Sequence, residues 1–222
     1  MLSPEIIALL VKATLDTLHM VAVSGALGTL VGLPLGVLLA VTGRGELLEN
    51  VFFNRAVGAV VNITRSTPFI ILVVAIIPFT RLVAGTSIGT AAAIVPLTVA
   101  AIPFIARVVE AAVREVDRGL IEAAQAMGAT PFQIIVKVLL PEARPAIALG
   151  LTLAAVSLIG YSAMVGAVGG GGLGDLGIRY GYQRFLPEVM LAVVVVLVVL
   201  VQIVQSAGDW LARRFNKRNL KV

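Results

Sequence analysis

The chain has 222 residues, of which 59% are hydrophobic and 13% are charged, and its formal net charge is +5. Soluble domains carry about 25% charged residues, so this chain has too few charges to coat a water-exposed surface, and a lipid bilayer must solvate much of it. Because the sequence contains no cysteine, disulfides and thiolate metal sites are excluded. We attribute the positive net charge to the Lys and Arg residues that membrane proteins carry on their cytoplasmic side, rather than to nucleic-acid binding.

Long uncharged runs predict the membrane spans, because a helix needs about 20 residues at ~1.5 Å each to cross ~30 Å of hydrocarbon. Helices are the expected form, since open strands would leave backbone groups unpaired in lipid. In chain order we expect five spans, at about residues 17–42, 56–80, 89–112, 145–168 and 188–208. The predicted fold class is all-α. No long polar segment could form a separate soluble domain, so residues 1–222 are expected to form one membrane domain.

Individual residues refine the second and third spans. Arg65 is the one charge in the second run, and we interpret it as a side chain that reaches the nearby membrane surface. Pro68 weakens the helix just beyond it, which predicts a bend. The sequence from Gly85 to Ser87 is typical of a turn, so the third span is expected to begin near Gly89 and to continue past Arg107.

The distribution of basic residues predicts the orientation. Five spans place the two termini on opposite sides of the membrane. With the C-terminus in the cytoplasm, 13 of the 17 basic residues fall in or near the inner segments. Lys and Arg accumulate on the cytoplasmic side of membrane proteins. We therefore expect an outer N-terminus, a cytoplasmic C-terminus and a cytoplasmic loop between the third and fourth spans.

That loop, residues 115–145, carries signals for two short helices. Asp117 can cap a helix that runs to Met127, and Gly128 is a natural stop. A second helix is then expected, with Thr130 as its cap.

The start and end of this second helix are also predicted. Pro131 suits its first position, and Gln133 completes a capping box with Thr130. We expect the helix to run to Leu140, to be ended by Pro141 and to be followed by the fourth span.

The first loop helix is amphipathic but too short to be stable alone in water. Leu120, Ala124 and Met127 lie on one side, and Glu122 and Gln125 lie elsewhere. Either the helix folds back on its own spans or it inserts into a cytoplasmic partner, and the physical pattern favours neither.

The residue pattern of the loop supplies a resemblance. Glu122-Ala123-Ala124, then Gly128, then Val138-Leu139-Leu140-Pro141 resembles the EAA loop of ATP-binding-cassette importer permeases, although the family prefers Ile where Val138 stands. The resemblance implies a coupling helix seated in a groove of a separate ATPase subunit. It implies that Glu122 anchors this helix and that Gly128 turns the chain. The coupling residues expected on this basis are Glu122, Ala123, Ala124, Met127, Gly128 and Pro141.

The resemblance extends from about Arg55 to Asp209 and is greatest to the methionine importer permease subfamily. Segments that carry it include Arg65–Ile70, Ile102–Arg107 and Gly160–Met164. It implies a homodimer in a bacterial inner membrane, two ATPase subunits that use ATP and Mg, and an outer solute-binding protein that delivers methionine or a close derivative. The chain itself is not expected to be an enzyme or to bind a cofactor or a metal.

Further candidate residues lie in and after the fourth span. In an importer this span is expected to line the translocation path with Tyr161, Ser162 and Met164, although such residues are more often packed between helices. Met164 is flexible and apolar, which suits a constriction.

The glycine-rich stretch Gly169–Gly174 follows an apolar span and not a strand, so it is not a nucleotide-binding motif. We interpret it as an outer hinge or gate, or else as a flexible turn.

Two other functions remain open from the sequence. One is a permease of the same architecture for another small solute. The other is a stand-alone secondary transporter or channel, which requires midplane charges or an internal repeat that we do not find. No lysine follows a glycine, so the chain has no phosphate-binding loop for ATP hydrolysis.

Overall fold

A computed structural model describes residues 3–215, and within them all regular structure is helical, as the sequence predicts. The basic tail residues Lys217, Arg218 and Lys221, which we expect to be cytoplasmic, lie outside the described residues. Four helices in this range are each long and apolar enough to cross a membrane, and one bent pair qualifies when its two helices are taken together, which gives up to five spans. With the bent pair counted as one broken span, the number agrees with the five predicted.

Helix α1 spans Pro4–Val41 and so begins well before the uncharged run from about residue 17 that predicts the first span. Ser3 caps the helix by accepting a hydrogen bond from the Ile6 N–H at 3.4 Å, and Pro4 occupies the first turn. At ~1.5 Å per residue, 38 residues extend about 57 Å, well beyond a ~30 Å hydrocarbon core. The first uncharged residue therefore indicates where the lipid-compatible part begins and not where the helix begins.

The second span is made of short helices. α2 (Val51–Ser66) and α3 (Phe69–Ala75) meet at 102°, and α4 (Ile77–Ala84) follows. Pro68 stands at the break, and Thr67 before it has extended backbone, as a residue preceding proline prefers. The predicted bend is confirmed.

The third span matches its prediction closely. A turn at residues 85–89 leads into α5 (Thr90–Arg114), which begins just after Gly89 and runs past Arg107. Gly89 has a φ of 92°, a conformation that favours glycine.

The loop between spans three and four contains α6 (Arg118–Ala126) and α7 (Pro131–Ile134). A π-helical segment, Ile135–Leu139, joins α7 to α8 (Leu140–Ala167) without a break. The prediction that Pro141 ends a helix is therefore wrong. Proline lacks an N–H and its ring crowds the carbonyl one turn earlier. The wider π turn immediately before Pro141 relieves this conflict without ending the helix.

The last described part of the chain forms a short helical corner and a long helix. α9 (Gly172–Leu176) continues into a second π-helical segment, Gly177–Gln183, and α10 (Pro187–Phe215) follows. α1 packs along α5, α5 along α8, and α8 along α10, while α9 sits between α1 and α8.

Glycines at four-residue spacing bring α1 and α5 together. A side chain at Gly28 would place its Cβ 2.6 Å from the Ala101 Cβ, and one at Gly32 would lie 2.8 Å from the Ile102 carbonyl oxygen. Gly36 continues the stripe one turn later. Small residues at this spacing allow transmembrane helices to approach closely. The close α1–α5 contact holds together the two helices from which the broken span and the loop extend.

Candidate functional site

α6 is bounded by specific caps at both ends. The Asp117 Oδ1 accepts a hydrogen bond from the Gly119 N–H at 2.7 Å. At the other end Gly128 has a φ of 80° and donates to the Gln125 carbonyl, while Ala129 donates to the Ala124 carbonyl at 3.0 Å. These two bonds form a Schellman motif. The predicted ends of this helix are confirmed, and they hold a helix of nine residues in one defined place.

Only one side of α6 is covered by the chain itself. Ala124 is 4% exposed and belongs to the main hydrophobic core, with Ile121 packed beside it. Glu122 and Ala123 are exposed. Glu122 is two positions before Ala124, which places it about 200° around the helix and thus nearly opposite the buried side. The helix does fold back on its own spans, and it also presents a free outer face.

The apolar side of α6 that the sequence predicts is buried by the rest of the chain only in part. Leu120 is 44% exposed and Met127 is 82% exposed. By helical position both lie on the same side as Ala124 and away from Glu122, yet neither belongs to the hydrophobic core. Exposed apolar side chains on a short helix that the chain covers only in part are typical of a surface that another molecule covers.

α7 connects α6 rigidly to the fourth span. Thr130 accepts from the Gln133 N–H at 3.4 Å, and the Gln133 side chain accepts from the Thr130 N–H at 3.0 Å, so the predicted capping box is present. Ile134 is buried in the core. Pro141 is half-buried in the first turn of α8. A displacement of α6 would therefore be passed to α8 along one continuous helix.

A buried ionic network, absent from the sequence-based predictions, lies where α5 approaches the loop. Glu110 is 4% exposed and pairs with Arg107 at 2.6 Å and with Arg114 at 2.8 Å. The Arg107 Nη2 also donates to the Gly58 carbonyl at 3.0 Å and to the Asn62 Oδ1 at 2.9 Å. The network joins α5 to α2 just before the bend. The spacing of three and four residues between these charges is a signal that could have indicated it.

The candidate path residues on α8 separate into two environments. Tyr161 stacks on Phe69 of α3 with ring centroids 4.4 Å apart, and Met164, one turn later, is 48% exposed. Ser162 is buried and donates to the Ile159 carbonyl at 2.7 Å. Tyr161 thus lies against the broken span, and Met164 follows one turn further along the same helix. Ser162 is packed inside the chain, which matches the alternative that the sequence left open.

The glycine-rich stretch is a packed corner. The Leu173 N–H donates to the Thr17 Oγ1 at 2.9 Å, although 156 residues separate them. A Cβ at Gly172 would lie 2.6 Å from the same oxygen and 2.7 Å from the Met20 Cε. Gly169, Gly171 and Gly172 all have positive φ. The backbone here fits closely against α1, which a loose turn would not do.

Within residues 3–215 no group of three His, Asp or Glu side chains is placed to hold a metal ion.

Comparison with known proteins gives consistent results. The model of a family described as "Binding-protein-dependent transport system inner membrane component" matches residues 32–218. The chain is 60% identical over 210 residues to a protein of Vibrio cholerae named "Probable D-methionine transport system permease protein MetI", covering 95% of this chain and 93% of that one. A Pasteurella multocida protein with the same name is 49% identical over 217 residues, covering 98% and 100% of the two chains.

A solved structure is also similar throughout. A chain of the MetNI methionine ABC transporter in an inward-facing conformation matches with a TM-score of 0.95 at 54% identity. The match covers 97% of this chain and 100% of that one. Because the family model spans most of the sequence and the relatives are similar along nearly their whole length, the chain belongs to the family of inner membrane components of binding-protein-dependent transport systems.

Proposed function

We propose that this chain is the translocation subunit of an ATP-driven importer for methionine or a close derivative, and that a separate chain hydrolyses the ATP. The observation that carries the proposal is the geometry of α6. The chain buries Ala124 to hold the helix in place and leaves Glu122 and Met127 exposed on the outside. The solute is inferred from relatives of 60% and 49% identity, whose names specify D-methionine.

The proposed assembly contains two copies of this chain, two ATPase subunits that use ATP and Mg, and an outer solute-binding protein. Each copy is one permease domain of residues 1–222 in a bacterial inner membrane, with an outer N-terminus and a cytoplasmic C-terminus. In this orientation α6 faces the cytoplasm, where an ATPase subunit can bind it. The similarity to a chain of the MetNI methionine ABC transporter supports an assembly in which permease and ATPase subunits are combined.

The coupling follows from how the loop is connected. Closing of the ATPase subunits displaces α6 through Glu122, Ala123 and Met127, while the Schellman turn at Gly128 keeps α6 and α7 in a fixed relation. α7 carries the movement through the π-helical segment and Pro141 into α8. α8 contacts α3 of the broken span, so a tilt of α8 alters the surface formed by the two. Such rigid-body movements switch transporters between inward and outward openings.

The translocation path is proposed to run along the exposed side of Tyr161 and Met164. Tyr161 is held by its stack on Phe69, and Met164 is free to adopt several side-chain conformations. Ser162 contributes to the path only as a packing residue, since its hydroxyl is already bonded to the helix backbone.

Met164→Ala is expected to lower the amount of methionine transported per ATP hydrolysed several-fold, because a shorter side chain leaves the constriction open. The measurement is uptake and ATPase activity on the same proteoliposomes. Leu30→Ala is the control, since Leu30 is an equally apolar, exposed side chain on α1, remote from the α3–α8 contact. Wild-type values in both assays would contradict a gating role for Met164.

The experiment that tests the function begins with co-expression of this chain and its nucleotide-binding subunit. We expect a complex that, reconstituted with the solute-binding protein, takes up labelled methionine only when ATP is present. Leucine, histidine and phosphate are the competing solutes.

Three outcomes of that experiment separate the proposals. Failure of any ATPase subunit to co-purify would contradict the importer function. ATP-dependent uptake of a competing solute in place of methionine would keep the importer and overturn the solute. Uptake without ATP would indicate a secondary transporter or a channel.

A further inference from the structure

A two-part groove lies between α8 and α10, close to where α8 leaves the loop. One part is an apolar cavity of about 420 Å³ and the other a charged cavity of about 480 Å³. Arg144 and Phe215 line both cavities, so the two parts are adjacent. Each volume is within the ~300–1,000 Å³ typical of small-molecule sites.

The apolar part has the dimensions of one membrane leaflet. Its α8 wall extends from Arg144 to Ala155, which is 12 residues or about 16 Å from the first Cα to the last. The hydrocarbon core of a bilayer is ~30 Å thick, so one leaflet supplies about 15 Å. Gly208 of α10 lies directly against Thr152 of α8, where no Cβ could be accommodated, and this contact closes the floor of the groove. The apolar part is therefore a shallow channel along the two helices, as long as one layer of acyl chains.

The charged part carries an excess of positive charge. Lys137, Arg144 and Arg214 line it, together with one acidic residue, Glu142. All four side chains are exposed. Over residues 3–215, the Lys137 and Arg144 side chains have no hydrogen bond or ion pair within the chain, so their charges are available to a ligand. Two uncompensated cations remain after Glu142 is counted, which fits an anion.

An aromatic residue marks the same level of the membrane. The Arg214 guanidinium lies 5.4 Å from the ring centre of Trp210, which is itself exposed. Tryptophan concentrates at the headgroup level of bilayers. The cations of the groove are therefore placed where lipid phosphates lie, and the apolar cavity continues from them toward the membrane interior.

We propose that this groove is a binding site for an anionic phospholipid. An acyl chain occupies the apolar cavity, and the phosphate contacts Arg144, Arg214 and Lys137. A soluble anion would leave the apolar cavity empty, and a neutral lipid would leave the cations unpaired, so an anionic lipid fits both parts together. Basic pockets between membrane helices are a recognised form of lipid site. The cytoplasmic leaflet is the expected location, and that detail alone rests on the orientation proposed above.

The site also contacts the loop. Leu120 of α6 lines the charged cavity beside Lys137, so a bound headgroup would lie next to the helix that we propose couples to the ATPase. Bound lipid would thus support the position of α6, and its loss is expected to lower the ATPase activity of the assembled complex without removing the ATPase subunit.

Native mass spectrometry of the intact permease–ATPase complex tests the proposal, with phosphatidylglycerol and phosphatidylcholine as competing probes. We expect phosphatidylglycerol to be retained at least tenfold better than phosphatidylcholine. The double substitution Arg144→Gln and Arg214→Gln is expected to remove this preference. Arg55→Gln is the matched control, because Arg55 is an exposed basic residue on α2, outside the groove. Ala207→Phe fills the apolar cavity at an exposed position and is expected to weaken lipid retention while leaving the cations intact.

Several results would overturn the lipid site. These are equal retention of the two lipids, an equal loss of preference in the Arg55→Gln control, or unchanged retention in Ala207→Phe. Displacement of the lipid by millimolar inorganic phosphate would indicate a site for a free anion. Loss of the ATPase subunit from the arginine variant with lipid retention unchanged would indicate that a protein surface covers the groove. None of these results depends on methionine uptake, so the lipid site and the transport function can fail separately.

Discussion

Replacing Glu122 with alanine is expected to abolish ATP-driven uptake while the permease remains folded. Glu122 is exposed, and among the described residues its side chain has no hydrogen bond or ion pair, so no such bond between those residues is lost in the variant. A loss of function must then arise at the surface that Glu122 presents to a partner. Residues that anchor an interface typically contribute about 2 kcal/mol or more. We therefore expect the ATPase subunit to bind about 30-fold more weakly.

The measurements are the dissociation constant of the ATPase subunit for the detergent-solubilised permease and the uptake rate in proteoliposomes. Glu115→Ala is the matched control, since Glu115 is an exposed glutamate of the same loop that precedes α6. Glu122→Gln retains the shape of the side chain and separates the role of the charge from that of packing. Wild-type affinity and uptake in Glu122→Ala would contradict the coupling role of α6.

Replacing Gly32 with leucine is expected to prevent α1 from packing on α5. The new Cβ alone would lie 2.8 Å from the Ile102 carbonyl oxygen and 3.0 Å from the Ile105 Cβ. The first of these atoms is backbone, which cannot turn aside as a flexible side chain can. Overpacking of a dense interior costs about 1–3 kcal/mol, and sometimes more where backbone must move. We expect a loss of stability of at least about 3 kcal/mol, because the α1–α5 contact is the most extensive in the chain.

Gly25→Leu supplies the matched control on the same helix. A Cβ there would meet only the Leu158 Cδ1, at 3.6 Å, and Gly25 lines a cavity of about 320 Å³ that can receive the longer side chain. Leucine also has a higher helix propensity than glycine by about 0.8 kcal/mol. The thermal midpoint of the solubilised chain should fall for Gly32→Leu and be unchanged or rise for Gly25→Leu. Equal effects at the two positions would show that the α1–α5 contact is not what limits stability.

The local chemistry of the sequence predicted much of the structure correctly. Asp117, Gly128 and the Thr130–Gln133 pair lie where capping rules place them, because a cap involves only neighbouring backbone groups. Pro68 produced the expected bend for the same reason. The helical class and the number of apolar runs were likewise determined by composition, since lipid requires that backbone groups be paired within the chain.

Local rules were wrong where a helix has more than one way to continue. They predicted a stop at Pro141, where the π-helical turn instead carries the helix onward. The uncharged run likewise marks only part of α1, since the helix extends back to Pro4, where Ser3 caps it. In both cases the relevant residues are present in the sequence, but a single proline or the edge of an uncharged run does not by itself locate the end of a helix.

The sequence by itself determined the helical fold and the loop with its two capped helices. The tertiary structure decided which sides of those helices are covered. It buries Ala124 and leaves Met127 exposed, gathers Arg107, Glu110 and Arg114 into one network, and seats the Leu173 N–H on Thr17. These outcomes depend on contacts between residues far apart in the chain. A residue pattern along one helix indicates that a side chain can be buried, and only the neighbouring helix determines whether it is.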